Sequence, residues 1–289
     1  MTSPMTPFDR SGLAALSDLQ SAEWSTLFAR LEQEQIEFLT AHAPFCSPEY
    51  RWPRDALHWW SRIWEYPYAY HHLCAWRASQ PAEVCPLVVD VGSGVTFFPF
   101  SVARLGCQVV CTDINPVCGV ELHRAIPHID AGKGQVQFRQ TDGLHLPLTD
   151  GAADAIYCIS VLEHIESFEH NIAEFSRVLK PGGLLLLTID LDLQGNSQIG
   201  VVRHLDLGRR LQAGFEYGCP DITIHPADLL TCTRGPFPLC RERTGARLAC
   251  FLLKQEWRKR VLRRKPRPVR PYLLCVQGLV LRKRRCRSQ

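Results

Sequence analysis

Residues 88–94 read Val-Val-Asp-Val-Gly-Ser-Gly, and a second apolar run, Cys107-Gln-Val-Val-Cys-Thr-Asp113, closes on another acid nineteen residues past Gly94. Short apolar runs bounded by turn residues read as buried strands. A glycine pair suits the point where a strand turns sharply into a helix, because a residue without Cβ lets the backbone approach a ligand closely. Two strands, a glycine turn between them and an acid at each strand end are the first half of a nucleotide-binding α/β unit.

Outward from this stretch the pattern alternates between strand and helix. Strands are expected at 87–91, 108–112, 135–140, 155–159 and 184–189, with helices near 98–105, from Pro116, and over 168–179, the last stopped by Lys180-Pro-Gly-Gly183. Further on, helices are expected near 205–213 and around Asp228, 248–264 is ambiguous, and a last strand falls near 273–281. Before the sheet, apolar residues at helical spacing start at Ala22, and 56–78 reads as a second helical stretch interrupted by Pro67. The fold class is therefore α/β, a Rossmann-like seven-stranded, mostly parallel sheet with helices on both faces and a helical N-terminal cap. The expected division is a loose N-terminus over 1–20, an aromatic-rich cap over 21–84, the nucleotide-binding domain over 85–253, and a basic extension over 254–289 that includes the last strand.

The ligand can be narrowed from the residues. A dinucleotide site would want a third glycine at position 97 to pack the helix on the strand, and Phe97 stands there. Asp90 lies just before the turn, a poor place for an anion opposite a pyrophosphate and a good one opposite an ammonium group. S-adenosylmethionine carries an ammonium and a sulfonium and no phosphate. Asp113 is placed to accept from both ribose hydroxyls, with a helix N-cap as the plainer alternative. Asp142, followed by Gly143, could accept from the adenine amine or simply form an Asp-Gly turn.

Together, Asp90-Val-Gly-Ser-Gly94, Asp113, Asp142-Gly143, Ser160-Val-Leu-Glu-His-Ile165 and Arg177-Val-Leu-Lys-Pro-Gly-Gly183 followed by an apolar strand resemble the ordered motifs of class I S-adenosylmethionine-dependent methyltransferases, in the style of the quinone-biosynthesis branch. The resemblance spans residues 86–190. It implies S-adenosylmethionine as co-substrate without a metal. It also implies that Asp90 and the turn Gly92-Ser93-Gly94 hold the methionine end, Asp113 and Ile114 the ribose side, Asp142 and Gly143 the adenine, and Ser160 to His164 the methyl-transfer side. Thr96 departs from the third glycine of many members.

Methyl transfer from a sulfonium is an in-line displacement that needs alignment and exclusion of water, and a base where the acceptor is a hydroxyl or protonated amine. His164 is the candidate base, with bracing of the following helix as the alternative for Glu163 or His164. Asp190 and Asp192, with Asn196 nearby, could bind a substrate amine or a metal, or form a solvated strand end. Six of the seven tryptophans lie between Trp24 and Trp76. The run Trp59 to Tyr70 reads either as a lid offering Tyr66 and Tyr70 to the acceptor or as helices packed on the sheet. The acceptor expected is a small or medium organic molecule, methylated on O or N. RNA or lipid is the alternative, and a non-catalytic binding protein is the alternative of another class.

The net charge of +4 hides polarity: the segment 254–289 holds 14 Lys or Arg against Glu256 alone, so it carries +13 and the remainder −9. Its clusters 258–260, 263–265 and 282–285 could meet a polyanion such as RNA or anionic lipid, or be a solvated helix face and an unfolded end. Thirteen cysteines without a Cys-x-x-Cys pair read as small buried hydrophobes, and the spacing of Cys219, Cys232, Cys240 and Cys250 fits no zinc pattern. No apolar run approaches the roughly 20 residues of a membrane span, and the N-terminus lacks a secretory pattern. A cytoplasmic location is the expectation.

Overall fold

A computed structural model describes residues 6–195, 198–239, 245–263, 265 and 273–285. Asn196, Cys240, Arg264 and Cys286, which entered the sequence reading, lie outside these residues. In chain order the elements are β1 (Gly12–Leu13), α1 (Ala22–His42), α2 (Arg62–Ala78), β2 (Leu87–Val91), α3 (Phe98–Ala103), β3 (Gln108–Asp113), α4 (Pro116–Ala125), β4 (Gln135–Gln140), β5 (Ala153–Ile159), α5 (Glu169–Val178), β6 (Leu179–Asp192), α6 (Val201–Gly214), β7 (Phe215–Tyr217), α7 (Gly245–Arg260) and β8 (Leu274–Lys283).

The sheet runs β1-β8-β6-β5-β2-β3-β4, with β7 also on β8. Strands β2 to β6 are parallel neighbours. β8 runs antiparallel to β6 over nine residue pairs, from Leu184 opposite Arg282 to Asp192 opposite Leu274. Two of the eight strands have no counterpart among the segments expected: β1, whose Gly12 and Leu13 pair with Gly278 and Gln277, and β7, which pairs with the end of β8.

Side chains alternate across a strand, and β6 shows it plainly. Leu184 and Leu186 join the core beneath α1 to α4, whereas Leu185 and Leu187 join the core beneath α5 and α6. This two-faced burial explains why the strands read as continuous apolar runs rather than alternating ones.

The aromatic segment is a packed layer and not a lid. Trp60, Trp64, Tyr68 and Tyr70 are buried, and Trp64 stacks on Tyr68 with ring centroids 4.4 Å apart. The pair lies flat on β8 at Gly278, where a Cβ would come within 2.4 Å of the Tyr68 ring. Only glycine allows that approach.

Pro67 sits inside α2 rather than ending it. A proline cannot donate to the carbonyl four residues back, which leaves Ile63 without its helical partner. The Trp24 indole of α1 supplies the missing donor, at 2.9 Å from the Ile63 oxygen. Trp24→Phe keeps the ring and removes the donor; it is expected to cost about 1–3 kcal/mol, the penalty for a polar group left unsatisfied, read as a lower urea midpoint.

The N-terminal stretch also departs from expectation. Residues 6–20 are not loose. Phe8, Ser11, Ala14 and Asp18 are buried. The Asp18 carboxylate accepts from both Arg10 terminal nitrogens at 3.0 and 2.5 Å, from Ala15 N–H at 2.9 Å and from the Trp64 indole at 2.8 Å. Tyr68 O–H donates to the Arg10 carbonyl at 2.8 Å. A short arm thus joins α2 and closes the outer edge of β8.

The basic C-terminal clusters are divided by the fold. Residues 282 and 283 end β8, where Lys283 Nζ donates to the Leu179 carbonyl at 2.7 Å, and Arg284 donates to Gln212 O at 3.1 Å. These residues belong to the sheet rather than to an unfolded end. The cluster 258–260 instead ends α7, with Lys259 and Arg260 exposed. Among the described residues, no helix is long and apolar enough to cross a membrane.

Candidate active site at the carboxyl edge of the sheet

In an open parallel sheet the loops at the carboxyl ends of the strands form the ligand crevice, at the point where strand order reverses. Here that point is β2, flanked by β3 on one side and β5 on the other. The turn after β2 uses its glycines for two separate reasons. Gly92 has φ +69° and its Cβ would lie 2.5 Å from Val161 Cγ2; Gly94 has φ +56° and its Cβ would lie 2.9 Å from the Tyr50 hydroxyl.

Asp113, at the end of β3, locks this turn. One carboxylate oxygen accepts from Gly94 N–H at 2.9 Å and the other from Asn115 N–H at 2.8 Å. Asn115 is the N-cap of α4, accepting from Val117 N–H at 3.0 Å, so the N-cap alternative for Asp113 does not hold. Asp90, the penultimate residue of β2, is buried. Burial pushes its carboxyl up to about 8, with the Asp113 charge adding to the shift and the Tyr157 hydroxyl opposing it. A cationic group beside it would ionise it.

The loops after β3 and β4 meet at Gly143, whose φ is +85° and whose Cβ would lie 3.0 Å from Ile114 Cγ2. Ile114 is itself exposed beside this contact. Asn171 donates to the Gly143 carbonyl at 3.0 Å. Asp142 has its carboxylate engaged by its own loop, accepting from Leu144 N–H at 2.8 Å and His145 N–H at 2.7 Å and lying 2.9 Å from His145 Nδ1. These bonds hold Asp142 below the ordinary carboxylate range. The Asp-Gly turn is thus formed, and the exposed carboxylate keeps further lone pairs for a ligand.

The end of β5 is strained. Ser160 has φ +47°, an uncommon conformation for a residue with a Cβ and one that clusters at functional sites. Its hydroxyl donates to Glu65 Oε1 at 2.6 Å, across 95 residues of sequence. Glu65 is fully buried and paired with Arg62, one turn earlier on α2. Glu163 Oε1 accepts from Asp190 N–H at 3.3 Å. Arg62, Glu65, Glu163 and Asp190 therefore form one charged cluster over the ends of β5 and β6. Glu163 Oε2 and Asp190 Oδ1 have no hydrogen-bond partner among the described residues.

Burial pushes Glu163 up to about 8, and burial with the charges of Glu163 and Glu65 holds Asp190 well above its ordinary range, opposed by Arg62. The stability consequence has a definite sign. Between an ordinary Glu value of 4.5 and about 8, the folded state holds a proton that the unfolded state has released. Stability is therefore lost as pH rises through that window. Asp90 and Asp190 contribute with the same sign. Glu163→Gln is expected to flatten the fall in melting temperature across the window without abolishing it; an unchanged slope would mean that Glu163 keeps its ordinary pKa.

His164 closes a short turn over Leu162–His164 with its side chain exposed. Burial of part of the ring and the nearby Arg62 charge lower its pKa, so the imidazole is neutral at pH 7. Glu163 braces the end of β6, through the Asp190 N–H, rather than the following helix. Asp190 and Asp192 are buried, so the reading of a solvated strand end is corrected: their strand end is paired with β8, and Glu163 and Arg62 lie near Asp190.

Of the two cap tyrosines, Tyr66 lies beneath Arg62, whose guanidinium carbon is 6.0 Å from the ring centroid. Burial, with the charges of Asp90 and Glu65 adding to it, pushes its hydroxyl up to about 12. Tyr70 belongs to the core instead. It is fully buried, packs edge-on against Phe98, and lies under Arg30 of α1, because one helical turn beyond Tyr66 on the same face carries it about 6 Å further along the axis, away from the edge.

Three residues at the edge escaped the sequence reading. Arg62 and Glu65 carry an i, i+3 spacing, a signal hidden inside the aromatic run. Tyr50 has none. Its hydroxyl accepts from Val95 N–H at 3.0 Å, and Arg54 stacks on its ring at 4.4 Å. The buried Glu121 of α4 fixes this loop by accepting from Ser47 N–H at 2.9 Å and from Arg54 at 2.8 Å.

Comparisons with known proteins agree with the geometry. Residues 89–187 match a family model described as a methyltransferase domain. An uncharacterized methyltransferase of Mycolicibacterium gilvum (strain PYR-GCK) is 31% identical over 189 residues, covering 61% of this chain and 69% of the relative. One from Mycobacterium avium (strain 104) is 29% identical over 181 residues, with the same coverage. Among solved structures, geranyl diphosphate C-methyltransferase from Streptomyces coelicolor A3(2) is 15% identical, with a TM-score of 0.47 over 74% of this chain and 79% of that one. With the motif order of its sheet and this kinship, the chain belongs to the class I S-adenosylmethionine-dependent methyltransferases.

Proposed function

We propose that the chain transfers a methyl group from S-adenosylmethionine to an oxygen or nitrogen of a small or medium organic acceptor seated over the ends of β5 and β6. The observation that carries this reading is the junction of the two halves of the edge. The glycine turn held by Asp113 lies on one side of Ser160, and the cluster of Arg62, Glu65, Glu163 and Asp190 lies on the other.

In this reading Asp90, raised by burial, ionises against the amino group of the methionine end, while Gly92, Ser93 and Gly94 provide close backbone approach. Asp113 retains lone pairs for the ribose hydroxyls after holding the turn, since each carboxylate oxygen can accept more than once. Ile114 and Gly143 flank the adenine. When bound, S-adenosylmethionine supplies an electrophilic methyl on a sulfonium. The protein's task is then alignment and the acceptor's proton. His164, neutral at pH 7, is the candidate to receive that proton. Asp190 and Tyr66 orient the acceptor, and Arg62 limits the negative charge of the cluster.

Support for an O- or N-acceptor comes from the buried carboxyl groups at the edge, which suit a polar or cationic nucleophile better than an apolar carbon. The test is transfer of radiolabelled methyl from S-adenosylmethionine into cell-extract fractions with and without nuclease, beside calorimetric titration with S-adenosylhomocysteine. Binding with label in a nuclease-resistant small-molecule fraction is the expected result. Label lost with nuclease would overturn the acceptor class, and no binding at millimolar ligand would overturn the reading as a whole.

A further inference from the structure

The chain makes one long excursion at the carboxyl edge. It leaves where Cys232 N–H donates to the Leu274 carbonyl at 3.0 Å and returns where Leu193 N–H donates to the Leu273 carbonyl at 2.9 Å. Both points adjoin the end of β6, beside Asp190 and Asp192. On its way out Phe237 packs edge-on against His58, 5.1 Å between centroids. The excursion carries α7, no residue of which is buried.

The exposure of α7 is ordered. Leu248, Phe251, Gln255 and Arg258, three to four residues apart, are half-buried along one line. Leu253, Trp257 and Val261 form a second line at i, i+4 and i+8, and are 72%, 56% and 60% exposed. Val261 continues the helical geometry, its N–H donating to the Trp257 carbonyl at 2.8 Å. Lys254 and Arg260, both exposed, border this apolar line on either side. The start of α6, which follows the same edge, adds the exposed Val201, Val202 and Leu205.

We propose that α7 docks on an anionic phospholipid surface, with Leu253, Trp257 and Val261 entering the headgroup boundary and the flanking cations meeting lipid phosphates. An apolar stripe bordered by Lys and Arg, with an aromatic ring within it, has the composition of helices that lie in that interface. Charge decides among occupants. Residues 245–265 hold eight Lys or Arg against Glu256 alone, and Glu256 is already paired with Arg260 at 3.2 Å. A second copy would bring like charge to like charge. RNA would satisfy the cations and leave the apolar stripe in water. An anionic bilayer answers both features, and it would bring lipid to the edge where acceptors enter.

The full chain is tested by co-sedimentation with mixed phosphatidylcholine and phosphatidylglycerol vesicles, with phosphatidylcholine alone as the neutral reference. Binding to the mixed vesicles, released by salt, is expected. The triple variant Leu253→Ser, Trp257→Ser, Val261→Ser should partition at least tenfold less. The pair Lys254→Gln, Arg260→Gln should lose about 25-fold, since each cation near an anionic surface is worth about 5-fold. Unchanged melting temperatures establish that the variants fold, and Trp257→Phe provides a conservative control that should keep most of the binding. Absence of binding by the wild type, equal binding by the triple variant, or retention on single-stranded RNA without retention on vesicles overturns the proposal. None of these readouts depends on methyl transfer, so the docking and the catalytic reading fail separately.

Discussion

Asp113→Ala is expected to weaken S-adenosylhomocysteine binding by about 100-fold or more in a calorimetric titration. The side chain serves the site twice. It fixes the turn by accepting from Gly94 and Asn115 N–H at 2.9 and 2.8 Å, and in the proposed reading it receives the ribose hydroxyls. Hydrogen bonds to a charged partner contribute about 1.5–3 kcal/mol each, and about 2.7 kcal/mol is already 100-fold. Asp113→Asn separates the two roles. It preserves size and one acceptor, but turns a donor toward an N–H that needs an acceptor, so it should bind between wild type and alanine. Wild-type affinity in both variants would remove Asp113 from the binding site.

Asp18→Ala is the largest stability loss expected, about 3–5 kcal/mol, the cost of leaving one partner of a buried ion pair uncompensated. Four donors converge on this carboxylate from Arg10, Ala15 and Trp64. Deleting it leaves the guanidinium, still bonded to the Pro7 and Leu13 carbonyls, without its counter-charge, and the indole N–H without an acceptor. In thermal unfolding the loss corresponds to a lowering on the order of 10 °C. Asp18→Asn, which still accepts but carries no charge, should fall between. A melting temperature within a degree or two of wild type, on the order expected for an ordinary surface substitution, would refute a structural role for the arm.

The parallel half of the fold was legible because its determinants are local. Strand and helix lengths, the glycine turn after Asp90 and the Lys180 to Gly183 stop each declare themselves within a few residues. The cofactor side shares that advantage, since Asp90, Gly92, Gly94 and Asp113 lie within one strand-turn-helix-strand unit. The acceptor side does not. Glu65 reaches Ser160 across 95 residues, and within its own helix it reads as a local partner for Arg62.

The ends of the sheet were obscured for the same reason. A short polar stretch with prolines resembles a loose terminus until Gly12 finds Gly278, and no local pattern announces such a partner. Arg282 and Lys283 were read by their charge. Their stems run along β8 while the tips reach backbone oxygens or solvent, so a basic run became a strand end.

The pairing of β1 with β8, and of the Trp64–Tyr68 stack with Gly278, orders events in time. During synthesis these two rings emerge some 210 residues ahead of the backbone they cover, which at typical ribosomal speeds is on the order of ten seconds or more. Throughout that interval the helix that contributes Arg62 and Glu65 can meet α1, α3 and β6 but lacks the part of its floor that β8 supplies. The cluster proposed to face the acceptor therefore gains its last support only once β8 has been made, well after the glycine turn can form.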